Sequence, residues 1–226
     1  RLGKAAMPAM RATFRSQSTS QAASSASVLG AALIFSGGVV GATAFCGQYL
    51  DKDVEAISSL VTAHENFPKP GILFRDMFPV MRDPIAMEKL ITHFVNRINV
   101  RHEQVEVVVG LDARGFLLGP IIAMRLGAKF VPIRKAGKLP GATIQVAYTK
   151  EYGEDRFEMH SDAIKDGDRC IIVDDLLATG GTMKAAVDLV SRAGGVVAEC
   201  MVVIELEGLN GAQAVPAPVY SMLQYD

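Results

Sequence analysis

Cysteine is scarce in this sequence. Its 226 residues contain only Cys46, Cys170 and Cys200, an odd number with no spacing suited to caging a metal. Cys170 and Cys200 lie in apolar, strand-like runs, so they read as buried, reduced thiols of a reducing compartment. Net charge is nearly absent too, at −1. That balance gives no argument for nucleic acid as a bulk partner. No internal repeat is visible, which sets aside solenoids and propellers. Acidic residues are missing from positions 1–50, which hold Arg1, Lys4, Arg11 and Arg15. The remainder therefore has 19 basic and 24 acidic side chains, a net of −5. An acidic domain of this kind can bind a polyanion only by concentrating positive charge locally.

Residues 28–50 lack charge of either sign. A bilayer span needs about 20 apolar residues, so the length suffices. Five glycines, with Ser36 and Thr43, keep the stretch only mildly hydrophobic. Three readings stand side by side. The Ser-rich, basic, acid-free residues 1–27 fit an organelle transit peptide, mitochondrial for instance, with 28–50 as an anchor. A secretory signal ending near Ala42-Thr-Ala44 would have an unusually long lead. The third reading is an extension outside the fold. In each case residues 1–50 form one unit and 51–226 a compact domain, and membrane contact is confined to 28–50.

Half of the residues are hydrophobic, enough for one α/β domain with a full core. Val54, Ile57, Leu60 and Val61 suggest a first helix. A Pro-rich loop follows at 66–76. Asp83 and Pro84 form an N-cap and first-turn pair for a helix whose apolar face is Met87, Leu90, Ile91, Phe94, Val95 and Ile98. Residues 105–111 read as a buried strand, 115–126 as a helix and 129–134 as a strand. Residues 143–149 and 156–160 read as the arms of a hairpin. Strand 170–174, helix 181–193 and strand 196–204 complete the alternation. That order predicts a central parallel sheet flanked by helices.

The run Cys170-Ile-Ile-Val-Asp-Asp-Leu-Leu-Ala-Thr-Gly-Gly-Thr182 carries the most chemistry. A buried strand ends in two carboxylates, a turn of small residues follows, and a helix begins at once. Ala178, Thr179, Gly180, Gly181 and Thr182 offer N–H groups and hydroxyls to a phosphate at a helix N-terminus. Asp174 and Asp175 would repel that phosphate but suit sugar hydroxyls, which donate to ionised acids. The run thus fits a phosphorylated sugar; its plainer reading is a βα turn with solvated acids. Gly110-Leu-Asp-Ala-Arg-Gly115 places Arg114 between a strand and a helix, where its planar donors can grip a diphosphate. The plainer reading pairs Arg114 with Asp112. Arg134-Lys-Ala-Gly-Lys-Leu-Pro-Gly141 is a basic loop whose Arg134, Lys135 and Lys138 read as phosphate-binding, or as a solvated turn. A polyanionic substrate of this acidic domain would also bring Mg²⁺.

These motifs, in this order, resemble those of type I phosphoribosyltransferases, and the Gly-Leu-Asp-x-Arg-Gly-Phe pattern resembles the adenine phosphoribosyltransferase family. The resemblance covers about residues 52–226. It implies a small base-binding hood, a mobile hairpin loop, and a cis peptide at Asp112–Ala113 in the diphosphate loop. The implied reaction is adenine plus 5-phosphoribosyl 1-diphosphate giving AMP and diphosphate in purine salvage, with Mg²⁺ held mainly by the diphosphate. The segment 67–76 becomes the adenine segment: Phe74 stacks on the base, the Leu73 and Arg75 backbone reads its edge, and Leu206 closes the other face. Glu151, beside Tyr152 on the hairpin loop, is placed near purine N7; its plainer reading is a solvated charge. Relatives acting on 6-oxopurines carry an Asp at position 178. Ala178 therefore points to a 6-aminopurine. The resemblance further implies a homodimer and a cytoplasmic location. Three alternatives stay open: an enzyme for xanthine or orotate, a non-catalytic nucleotide-sensing regulator, and a scaffold anchored in a membrane through 28–50 with a degenerate site, against which Glu151, Arg114 and the acidic pair argue. The acidic core and the lack of a helix-turn-helix extension weigh against the regulator.

Overall fold

The computed structural model describes residues 52–150 and 153–226. Residues 1–50, with the targeting and membrane readings attached to them, lie outside the described residues. The first helix, α1, occupies 52–58 and buries Ile57. Where a loop was expected the chain forms a hairpin instead. Strand β1 (Thr62–Glu65) pairs antiparallel with β2 (Leu73–Asp76), with Thr62 opposite Asp76. Between them Phe67–Pro68 is cis, and Gly71 N donates to Asn66 Oδ1 at 2.9 Å. Helix α2 (Phe78–Arg82) leads into α3 (Pro84–Arg101). Asp83 caps α3 as expected, accepting from Ile85 N at 2.8 Å and Ala86 N at 3.1 Å.

The main sheet follows as β3 (Val107–Leu111), helix α4 (Gly115–Leu126), β4 (Lys129–Lys135), β5 (Thr143–Lys150), β6 (Gly153–His160) and β7 (Arg169–Leu177). Helix α5 (Gly181–Arg192), β8 (Val196–Leu206), the short α6 (Gly211–Ala214) and β9 (Val219–Tyr225) complete it. The order across the sheet is β5-β6-β4-β3-β7-β8-β9. The run β4-β3-β7-β8-β9 is parallel, and the β5–β6 hairpin adds an antiparallel edge.

Two apolar layers cover the sheet. Val108, Ile171, Val173, Met201 and Val203 pack with α1, α3 and α4 on one face. Val107, Val109, Ile172, Cys200 and Val202 pack with α5 and the hairpin on the other. This alternation is the two-residue period of the strands made visible, each strand being buried on both faces. Cys170 and Cys200 are free and buried, and burial pushes both thiols up to about 12.

The chain leaves β3 for β4 on one side and leaves β7 for β8 on the other. The strand order therefore reverses between β3 and β7. In such sheets a crevice opens at the carboxyl ends of the strands on either side of that point. The sequence motifs at 110–115 and 174–182 are those two ends.

Candidate active site

Strand β3 ends at Leu111, and the next peptide, Asp112–Ala113, is cis, as the resemblance implied. Arg114 then precedes α4. Gly115 opens the helix against β7: a Cβ there would lie 2.5 Å from the Val173 carbonyl oxygen. Only glycine lets the helix start come this close to the strand.

The plainer alternative, an Asp112–Arg114 pair, is not formed. Asp112 Oδ2 accepts from Arg134 Nε at 2.9 Å, and Arg114 Nε donates to Asp175 Oδ2 at 2.9 Å. The sheet register explains both. Leu111 lies opposite Ile133, so the next residue on each strand end is within reach of the other. Gly110 lies opposite Val173, which brings the start of α4 over the end of β7.

Strand β7 does not stop at the acids. It runs through them to Leu177, with Leu176 opposite Ile204 and Leu177 opposite Glu205. Asp175 is buried and Asp174 half-buried. Asp175 N donates to Asp174 Oδ1 at 2.9 Å. Burial, followed by the neighbouring Asp175 charge, raises the Asp174 pKa well above the usual carboxylate range. Burial raises Asp175 as well, and the Arg114 guanidinium partly opposes the shift.

Beyond Leu177, residues Ala178–Gly180 bend into α5. Gly180 precedes the helix at φ 81°, with no side chain capping the helix and no acid in the first turn. Uncapped N–H groups at the start of a helix are an anion site. A cavity of about 270 Å³ lies over this turn, lined also by Asp112, Arg114, Asp174 and Asp175. The structure therefore brings the two separate sequence motifs to one cavity.

The hood residues lie beside it. The Phe74 ring is 5.9 Å from the Arg114 guanidinium and 5.1 Å edge-on from Phe67. Phe74 also lines a second cavity of about 560 Å³ with His64, Asn66, Asp76 and Phe78. Arg75 stacks over Tyr225 at 4.2 Å, and Tyr225 lies opposite Leu206 at the ends of β9 and β8. Leu73 is exposed beside them on β2.

The basic loop follows β4. Arg134 and Lys135 are the last residues of β4 itself, and Lys135 Nζ is 3.8 Å from Asp155 Oδ2 on the neighbouring β6. Lys138 stands on a loop whose backbone is anchored by Glu158, a residue not singled out from sequence. Glu158 accepts from Lys138 N at 2.7 Å and Leu139 N at 2.8 Å. Burial raises its pKa, but hydrogen bonds from backbone N–H groups outweigh that and hold it below the usual range. Its signal in the sequence was a lone acid between Phe157 and Met159, in a strand otherwise apolar at that point. Glu151 and Tyr152 lie outside the described residues.

The phosphoribosyl transferase domain family matches residues 83–225. Adenine phosphoribosyltransferase of Caenorhabditis elegans is 50% identical over 163 residues, 72% of this chain and 88% of the relative. Adenine phosphoribosyltransferase 1 of Triticum aestivum is 49% identical over 177 residues, 78% of this chain and 97% of the relative. Among solved structures, the adenine phosphoribosyltransferase of Saccharomyces cerevisiae, complexed with an imino-altritol bisphosphate and adenine, superposes with a TM-score of 0.75. It shares 41% identity over 76% of this chain and 99% of that one. The shared domain, the identity across most of the chain and the matching sheet agree with the crevice geometry: the chain belongs to the adenine phosphoribosyltransferase family of pentosyltransferases.

Proposed function

We propose that this enzyme joins adenine to the ribosyl C1′ of 5-phosphoribosyl 1-diphosphate, giving AMP and diphosphate. The C1′–oxygen bond to diphosphate breaks, the C1′–nitrogen bond to the base forms, and the base gives up a proton. The observation that carries the reading is the acidic pair at the end of β7 beside the uncapped start of α5, with Arg114 alongside. The turn Ala178–Thr182 takes the 5′-phosphate. Asp174 and Asp175 accept from the ribose hydroxyls and face the positive charge that develops on the ring. Arg114, Arg134, Lys135 and Lys138, with the Asp112–Ala113 turn, receive the diphosphate. Positioning and electrostatics supply most of the acceleration, and no protein nucleophile is needed.

On the base side, Phe74 stacks on adenine, the Leu73 and Arg75 backbone reads its edge, and Leu206 closes the far side. Glu151 handles the base proton, with Tyr152 beside it on the same loop. Ala178 leaves no carboxylate at that corner of the turn, which favours a 6-aminopurine over a 6-oxopurine. The yeast relative, crystallised with adenine and a sugar-like bisphosphate, supports the same ligand classes.

Mg²⁺ fits this donor set as a partner of the diphosphate. No cluster of three or more His, Cys, Asp or Glu able to cage a metal occurs among the described residues, while three carboxylates border the cavity and one of them, Asp112, is taken by Arg134. Mg²⁺ characteristically binds through one or two carboxylates plus substrate phosphates. When bound it would neutralise charge on the leaving diphosphate. A homodimer and a cytoplasmic location belong to the same reading. Among the described residues no helix is long and apolar enough to cross a membrane.

Competition between bases for labelled phosphoribosyl diphosphate tests the proposal. Adenine is expected to win by a wide margin over hypoxanthine and guanine. Comparable turnover of hypoxanthine overturns the base assignment.

A further inference from the structure

Glu158 is 2% exposed in the middle of β6, and its hydrogen bonds all point one way. Oε1 accepts from Lys138 N and Leu139 N, at 2.7 and 2.8 Å. Oε2 accepts from Thr143 Oγ1 at 3.3 Å and from Gln145 Nε2 at 3.2 Å. These four donors belong to the loop after β4 and to the strand that leaves it. A buried carboxylate is costly unless its oxygens are satisfied. This one is satisfied by fixing a loop.

The loop needs such fixing. It turns through Gly137 and Gly141, both at φ 81°, and forms no helix or strand. Its other hold comes from the crevice side. Arg134 Nη1 donates to the Lys138 carbonyl at 3.4 Å, while Arg134 Nε binds Asp112. One hydrogen-bonded path therefore runs from the turn after β3 through Arg134 and the Lys138 peptide to Glu158. Lys138 is gripped at its N–H by Glu158 and at its carbonyl by Arg134. Glu158 lies opposite Arg134 in the β4–β6 pairing and opposite Gln145 in the β5–β6 pairing, so the carboxylate sits at the root of the loop.

We infer that Glu158 is a positioning residue for diphosphate. It touches no substrate; it sets the backbone of Lys138 so that this lysine joins Arg134 and Lys135, at the end of β4, in facing the leaving group. The inference rests on the proposed assignment of Arg134, Lys135 and Lys138 to diphosphate. It separates two ends of the same substrate, because the 5′-phosphate turn at 178–182 belongs to β7 and α5 and shares none of these hydrogen bonds.

The test is calorimetric titration of the full chain with magnesium diphosphate and, separately, with AMP. It compares the wild type with Glu158→Ala and Glu158→Gln, with a thermal melt of each. Misplacement of a substrate-positioning group costs up to about a hundredfold, so Glu158→Ala is expected to weaken diphosphate by about tenfold to a hundredfold. AMP affinity should stay within about twofold, since a general loss of fold would move both ligands together. Glu158→Gln keeps the length and one acceptor oxygen, so it guards against a variant that fails to fold. It should weaken diphosphate a few-fold and again spare AMP. In turnover, KM for phosphoribosyl diphosphate should rise while KM for adenine does not. Equal losses of AMP and diphosphate overturn the inference in favour of a merely structural residue. No loss of diphosphate in either variant overturns it as well. Wild-type protein that binds AMP but not diphosphate removes the loop assignment, and this inference with it. Wild-type binding of both ligands with unchanged variants removes this inference alone.

Discussion

At the end of β7, Asp174 and Asp175 are pushed towards protonation; on β6, Glu158 is just as inaccessible as Asp175 and is held ionised. The two sites share a sheet and a type of side chain. They differ in donors. Glu158 collects two amide N–H groups and two side-chain donors, which offset its desolvation. Asp174 accepts from Asp175 N, and Asp175 draws on the Arg114 guanidinium and on the backbone amides of 175 and 176, but these do not offset the burial of two adjacent carboxylates that also repel each other. A structural carboxylate is fully served within the fold. A pair left short of donors is poised for hydroxyls and positive charge that arrive with a ligand.

The largest expected effect tests the underserved pair. Asp174→Asn and Asp175→Asn keep the shape and a hydrogen-bonding group but remove the charge. Loss of one charge-assisted contact made in the transition state is worth ~1.5–4 kcal/mol, so kcat/KM is expected to fall by about tenfold to a thousandfold. Steady-state kinetics with both substrates measures it. Unchanged kcat/KM in both variants would mean the pair is as structural as Glu158, and the comparison would collapse.

A smaller effect sharpens the contrast in how the two phosphate-facing loops are held. The basic loop hangs on a carboxylate, whereas the 178–182 turn is wedged by backbone. At Gly180, with φ 81°, an added Cβ would collide with the Gly211 carbonyl oxygen, so α6 packs directly on the turn. Gly180→Ala therefore meets both strain at positive φ and a steric clash, together costing about 2 kcal/mol of stability. Chemical denaturation measures that, and AMP titration should show weakened binding. Glu158→Ala should do the reverse and spare AMP.

How much of this was legible beforehand follows from where each signal resides. Helix α4 was expected at its observed bounds because Gly127, at φ 67°, stops it locally. Helix α3 began where Asp83 and Pro84 announced it, and the parallel sheet followed from the alternation of elements. Strand β1 was not legible. Thr62, Ala63, His64 and Glu65 are all exposed, so no apolar period marks it, and it exists only because β2 pairs with it. Strand β7 ran three residues past its expected end at 174, because pairing with β8 carries the backbone through the acids that seemed to close it. Strand β9 and α6 went unassigned; prolines at 216 and 218 hid the start of the strand. The motif residues of the crevice were readable as types, but the pairing of Arg114 with Asp175 and of Arg134 with Asp112 was not. Each depends on which strands are neighbours, a long-range fact. Glu158 was missed for the same reason, since its meaning comes from a loop 20 residues earlier in the chain.

The smallest expected effect concerns stability without ligand. A carboxylate whose folded pKa is raised favours the native state fully below its unfolded pKa, about 3.9 for Asp, and loses that contribution as pH rises through the folded value. Asp174 behaves this way, with burial as the first cause and Asp175 as the second. Near neutral pH the buried pair is therefore a cost to the unliganded fold. Glu158, with a lowered pKa, has the opposite sign: its contribution is present above the unfolded value and fades as pH falls. Asp174→Asn removes one charge from the pair and leaves an oxygen to accept from Asp175 N. It should stabilise the unliganded enzyme at pH 7 by ~1 kcal/mol, a rise in Tm of about 2–4 °C for a chain of this size. The gain should shrink towards pH 4, where Asp174 is already protonated in the wild type. Glu158→Gln should lower Tm at pH 7 and converge on the wild type in acid. Thermal melts of both variants across that pH range decide the matter. A fall in Tm for Asp174→Asn at pH 7 would show that the aspartate pair stabilises the empty site, and the distinction between a served and an underserved carboxylate would be lost.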